Sequence, residues 1–293
     1  MDESELALRP VGVFDSGIGG LTVVRALRDL LPHEDIFYIG DNARLPYGGK
    51  SKSTIERYSV EITGLLLAEN AKMIVVACNT SSSLAISRLR EILKVPVVGV
   101  IAPGARLAVK KTQNGHIGVI GTRSTIESQA YERTIQALNP TVRVTSQACP
   151  LLVPLVEEAW LDDEITREVL HRYLDPVVES GIDTLVLGCT HYPLLAPLIQ
   201  EVCGPEVQLV DSAMNCAFAV KQTLREWDLE NANQHAGKLN VALTDSSNSF
   251  LGTARKALRL EIDSLETRTV QGVVILDASA RKRPQSPDSP CAG

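Results

Sequence analysis

The sequence answers itself at a spacing of about 110 residues, and this limits its folds more than any other feature. Val11-Gly12-Val13 returns as Ile117-Gly118-Val119, MIVVACNTSS at 73–82 returns as TLVLGCTHYP at 184–193, and VVGVIAP at 97–103 returns as VQLVDSA at 207–213. The offsets of 106, 111 and 110 residues keep their order along the chain. A duplicated unit explains this. The competing explanation, chance likeness between generic buried strands, must also account for Cys78 and Cys189 falling at matched positions.

Each unit alternates short apolar runs with amphipathic stretches. Strands are expected at 11–15, 35–39, 73–77, 97–101, 116–120, 142–146, 184–188, 207–210 and 239–244. Helical periodicity fills 21–31, 52–70, 81–93, 103–112, 124–138, 163–180, 193–203, 213–227 and 247–258. Such alternation predicts an α/β fold of two pseudo-symmetric, doubly wound parallel-sheet lobes, with the active site in the cleft between them. Residues 281–293, RKRPQSPDSPCAG, contain three prolines and no apolar run, and read as a disordered tail.

The whole-chain properties narrow the function. A net charge of −6 disfavours a nucleic-acid surface. No run approaches the roughly 20 apolar residues of a membrane span, and the first ten residues lack a signal pattern, so a cytoplasmic location is expected. The six cysteines show no C-x-x-C and no zinc spacing, so free thiols are expected, with no metal.

Cys78 and Cys189 each follow a buried strand and precede a turn into a helix, where ligands bind in open α/β sheets. Two thiols facing one ligand from opposite sides suit racemisation, in which one group removes a proton and another delivers one to the far face. Asn79, Thr80 and Ser81-Ser82-Ser83 suit capping of the helix after Cys78, and its N-terminus should lower that thiol from about 8.5 towards neutrality. Thr190 and His191 can tune or relay the proton at Cys189. Asp15, followed by Ser16-Gly17-Ile18-Gly19-Gly20, ends the first strand. A dinucleotide site there, with Asp41 on the ribose, is opposed by Thr22 in place of the third glycine and by the Asp15 charge beside a pyrophosphate. Residues 40–50, with Asp41, Arg44, Tyr47 and Gly48, form a candidate pocket wall. Asp211 is either a helix cap or a ligand.

The segments VFDSGIGGLTV, IGDNARLPYG, VVACNTSSS and LVLGCTHYPLL resemble the signatures of the glutamate racemase family, over about residues 11–258. The resemblance implies a cofactor-independent enzyme, commonly a homodimer, supplying D-glutamate for peptidoglycan. It implies Cys78 and Cys189 as proton donors and acceptors, supported by Asp15 and His191 respectively. Substrate contacts would come from Asp15, Ser16, Tyr47, Gly48, Asn79, Thr80, Thr122, Thr190 and His191, with Glu157 a further candidate. Lobe one would span 1–101 plus 211–280, and lobe two 102–210. Relatives often carry alanine in place of part of the Ser81–Ser83 run. Three other readings stay open: an aspartate racemase, a thiol hydrolase needing one activated cysteine, and a binding module without turnover.

Overall fold

The computed structural model describes residues 3–233, 235–245 and 259–270. Ten strands form two sheets within these residues: β1 Val11–Asp15, β2 Ile36–Gly40, β3 Met73–Val76, β4 Val97–Gly99, β5 His116–Gly121, β6 Arg143–Ala148, β7 Thr184–Gly188, β8 Gln208–Val210, β9 Leu239–Leu243 and β10 Ser264–Thr267. The first sheet runs β10-β9-β2-β1-β3-β4 and the second β6-β5-β7-β8, and every pairing is parallel. The order β2-β1-β3-β4 matches β6-β5-β7-β8 strand for strand, as duplication requires.

Both faces of each sheet are covered, and the strands read accordingly. Val11, Val13, Tyr38 and Val75 enter one core while Phe14, Ile39, Ile74 and Val76 enter the core on the opposite face. In the second sheet Ile117, Val119 and Val186 pack on one side, and Ile120, Leu185 and Leu187 on the other. Each such side chain contributes about 1.5–3 kcal/mol when fully buried, so a one-residue slip would exchange two filled cores at once. The repeated glycines have a packing cause. A Cβ at Gly12 would lie 2.8 Å from Ala71 Cβ, and one at Gly118 would lie 2.7 Å from Ile182 Cδ1. In both units the segment leading into the third strand presses on the first.

The nine expected strands form within a few residues of their anticipated limits. Three expected helices are each split, the one at 193–203 into a 3-10 turn, Tyr192–Leu195, and the helix Ala196–Cys203. The 81–93 pattern becomes Asn79–Leu84 and Ile86–Ile92, meeting at Ala85. The 124–138 pattern becomes Arg123–Glu127 and Ala130–Leu138, separated where Gln129 adopts a left-handed φ of 52°. Three short helical segments, Glu3–Ala7, the 3-10 turn Asn42–Arg44 and Leu152–Glu157, and the exposed strand β10 lie outside the expected elements. The expected helix at 247–258 and the expected disordered tail at 281–293 lie outside the described residues. Among the described residues, no helix is long and apolar enough to cross a membrane.

Candidate active site

The chain leaves β1 for β2 on one side and reaches β3 on the other, so β1 and β3 flank a point where the strand order reverses. β5 and β7 do the same in the second sheet. Ligands bind outside the carboxyl ends of strands at such points. Asp15 ends β1, Cys78 lies just past β3, Thr122 follows β5 and Cys189 follows β7. The four ends meet around a cavity of about 20 Å³, lined by both thiols and by Ser16, Tyr47, Gly48, Asn79, Thr80, Thr122, Thr190 and His191. Cys78 and Cys189 are only 4% and 6% exposed. A larger concavity of about 640 Å³, bordered by residues 90–106 and 219–227, contains neither thiol nor any expected contact, so the smaller cavity is the candidate site.

Cys78 occupies the N-cap of the six-residue helix Asn79–Leu84. Its thiol donates to Ser16 Oγ at 3.8 Å, and the Ser81 backbone N–H points back at the sulfur. The expected fall of its pKa does not occur. Burial, joined by the charges of Asp15 and Cys189, outweighs the Ser81 and Ser16 hydrogen bonds and pushes this thiol up to about 12. One peptide N–H and one hydroxyl cannot offset full desolvation beside a carboxylate. The serines serve other ends than capping: Ser82 Oγ donates to Val76 O and accepts from Val100 N, and Ser83 Oγ donates to Thr80 O.

Cys189 has different neighbours. His191 Nδ1 lies 3.8 Å from Cys189 Sγ, while His191 Nε2 meets Glu157 Oε1 at 2.7 Å. Burial, the largest influence, favours the neutral ring. Hydrogen bonds to Cys189 and Glu157, with the charges of Cys189 and Asp15, overturn it and raise His191 to about 10. An imidazolium beside this thiol is thus a proton source and a counter-charge. Asp15 stands behind the cavity, not on its wall, and is fully buried. Its Oδ2 accepts the Gly17 N–H at 3.0 Å and its Oδ1 the Thr190 hydroxyl at 3.2 Å, which ties the first lobe to the Cys189 loop. Burial raises the Asp15 pKa, opposed by the charge of His191, the Gly17 and Gly20 amides and Thr190.

The 40–50 loop divides its labour. Tyr47 and Gly48 reach the cavity wall. Asp41 turns inward, accepting from Tyr47, from Arg44 at 2.7 Å and from Thr244 at 2.8 Å, which leaves no ribose-binding role. The Tyr47 hydroxyl is committed to Asp41, so its contribution to a ligand falls to its backbone. Gly48 O accepts from both the amide and the hydroxyl of Ser124, at 3.0 and 2.9 Å, and so clamps this loop to the second lobe. Thr80, Thr122 and Thr125 place three buried hydroxyls 2.9–3.3 Å apart across the cleft. Thr125 escaped sequence reasoning, although its place three residues after the N-cap Thr122 was a usable signal. Asp211 Oδ1 accepts Ala213 N–H at 2.8 Å, a local turn contact, and Asp211 is absent from the cavity wall.

Comparison with known proteins places this geometry. The model of the Asp/Glu/Hydantoin racemase family matches residues 21–219. The chain belongs to that family. It is a racemase, and therefore an isomerase. The glutamate racemase of Geobacter metallireducens is 47% identical over 250 residues, covering 85% of this chain and 93% of that protein. Among solved structures, the glutamate racemase isoform RacE1 of Bacillus anthracis superposes with a TM-score of 0.84 at 39% identity, covering 90% of this chain and 97% of that one. The glutamate racemase of Francisella tularensis, solved with D-glutamate, gives a TM-score of 0.84 at 37% identity and covers 90% and 98%. The family's two-lobed α/β architecture is the one described above.

Proposed function

We propose that this protein interconverts L- and D-glutamate by transferring protons at the α-carbon through Cys78 and Cys189, without metal or organic cofactor. The observation that carries the reading is the pair of buried thiols on opposite lobes, lining one cavity. One thiolate takes the α-proton from one face of the substrate, and the other thiol gives a proton to the opposite face. The lost C–H bond is replaced by a new one, and the base ends as the acid.

The surroundings fit the charges that must be held. Asn79, Thr80 and Thr122 offer donors for carboxylate oxygens. The buried Asp15 supplies negative charge for an ammonium group and for the His191 imidazolium. The glutamate named in the relatives, rather than aspartate, is the substrate we assign. We further propose service in peptidoglycan and cell-wall synthesis, in the cytoplasm, by a homodimer. We set the lobe limits at 1–101 plus 211–280 and 102–210. In support, the helix Ile101–Lys111 packs in the core of the second sheet, and the helix Ala213–Glu226 in that of the first.

A circular-dichroism assay with each glutamate enantiomer and no added cofactor should show convergence to the racemate, and aspartate should react far more slowly. Turnover should survive chelators and carbonyl-trapping reagents. In heavy water the product should carry deuterium at the α-carbon while recovered substrate stays unlabelled early on. Equal early labelling of both would sink the two-thiol mechanism.

A further inference from the structure

Tyr131 lies on the helix Ala130–Leu138 of the second lobe, is 2% exposed, and lines no part of the cavity wall. Its hydroxyl nevertheless reaches across the cleft and donates to Asn79 Oδ1 at 2.7 Å. On its other side Ser212 Oγ, in the segment that carries the chain back to the first lobe, lies 3.1 Å away. With the Tyr131 proton given to Asn79, Ser212 donates in turn, and a one-way chain runs Ser212 to Tyr131 to Asn79. The ring is fixed as firmly as the hydroxyl. A Cβ on Gly188, the residue before Cys189, would lie 3.1 Å from Tyr131 Cε2, and one on Gly104 would lie 3.4 Å from Cε1. One side chain therefore presses on the strand end that carries Cys189 and bonds to the residue that follows Cys78.

An amide has one acceptor and two donors, and which end faces a ligand decides whether it attracts or repels an anion. The Tyr131 hydroxyl occupies Asn79 Oδ1, so the Nδ2 donors are the end left for the cavity that Asn79 lines. Burial raises the Tyr131 pKa far above the usual phenol range despite the Ser212 hydrogen bond, so the hydroxyl keeps its proton wherever the enzyme works. We infer that Tyr131 is a positioning residue for racemisation: it holds the Asn79 amide donor-first towards the substrate carboxylate, and in doing so sets the Cys78 and Cys189 loops in mutual register. This rests on the racemase reading given above. When the α-proton leaves, negative charge spreads onto the adjacent carboxylate, so fixed donors there matter more in the transition state than in the bound substrate. The loss on removing the hydroxyl should therefore fall on kcat more than on KM.

The test is Tyr131→Phe in the full chain, which keeps the ring against Gly188 and Gly104 and removes only the hydroxyl. Activity is read by circular dichroism on both enantiomers and, for slow variants, by α-proton exchange followed by NMR. Kcat should fall about tenfold with KM changed less than twofold, and Ser212→Ala should give a smaller loss of the same kind. In an Asn79→Ala background, Tyr131→Phe should cost nothing further, because the residue it acts through is gone. An unchanged kcat would overturn the inference, as would an equal tenfold loss in the Asn79→Ala background. A lower melting temperature with normal kcat would also overturn it, since it would make Tyr131 a purely structural contact. If the unaltered protein failed to racemise glutamate, the proposed function itself would fail, which is a separate result.

Discussion

The two cysteine half-sites come from the same structural position in a repeated unit, yet their surroundings have little in common. Around Cys78 there is a serine hydroxyl, one helix-end N–H and a buried carboxylate behind, and the thiol is driven up to about 12. Around Cys189 there is a histidine held protonated by burial-resistant bonds to the thiol and to Glu157. The scaffold repeats because strand packing repeats; the groups placed around each thiol do not. What the difference teaches is that a two-sided reaction needs matched positions for its reacting atoms, while each can be poised by different means. Under the proposed mechanism Cys78 would act as a strong base once ionised, and Cys189 would exchange protons with the neighbouring His191 cation.

The comparison can be broken most forcefully at the sulfurs. Cys78→Ala and Cys189→Ala should each abolish racemisation from both enantiomers, by about 10³-fold or more. A variant that kept appreciable racemisation would mean that only one half-site reacts. Next in size is His191→Asn, expected to lower kcat/KM about 100-fold. Since the equilibrium constant of a racemisation is unity, that fall must be equal in both directions. The asymmetry should appear instead in the α-deuterium isotope effect, which should change more for the enantiomer whose proton Cys189 removes.

Glu157→Gln should cost about tenfold in turnover, as expected for one charge-assisted hydrogen bond. It should also alter how stability depends on pH. In the fold His191 holds its proton to about 10, against an ordinary 6.5. Its contribution is therefore fully present below pH 6.5 and is lost as the pH climbs towards 10. The difference in melting temperature between the parent and Glu157→Gln should be largest in acid and shrink across that window. A difference that did not vary with pH would detach Glu157 from the proton on His191. Ser16→Ala should have the smallest effect, about threefold in kcat, because a thiol-to-hydroxyl contact at 3.8 Å is weak.

Much of this could be read from the chain because buried parallel strands write their own pattern. MIVV and TLVLG are apolar on both faces, so their ends, and the cysteines just past them, could be located without coordinates. What resisted reading had a different physics. β10, Ser264–Thr267, is an exposed edge strand that pairs through its backbone, and its side chains need follow no pattern. Leu152–Glu157 is a six-residue helix, too short to show periodicity, so Glu157 entered only through family resemblance and its bond to His191 was not foreseen. The direction of the Cys78 shift was misjudged because sequence shows a helix start but not the depth at which it is buried. Tyr131 sits in the middle of an ordinary amphipathic helix, and nothing local marks it as reaching the other lobe.

The cavity between the lobes, at about 20 Å³, has room for roughly one water molecule. Under the two-thiol mechanism, this tightness gives the enzyme a short memory. A turnover from L to D leaves the former base protonated and the former acid bare, so the free enzyme is then set to run from D to L. Restoring the first form requires moving a proton between two buried sulfurs, and bulk water cannot do so while the cleft is closed. At high substrate concentration the next molecule should arrive before the reset is complete, and the hand of the last product should bias the hand that is accepted next.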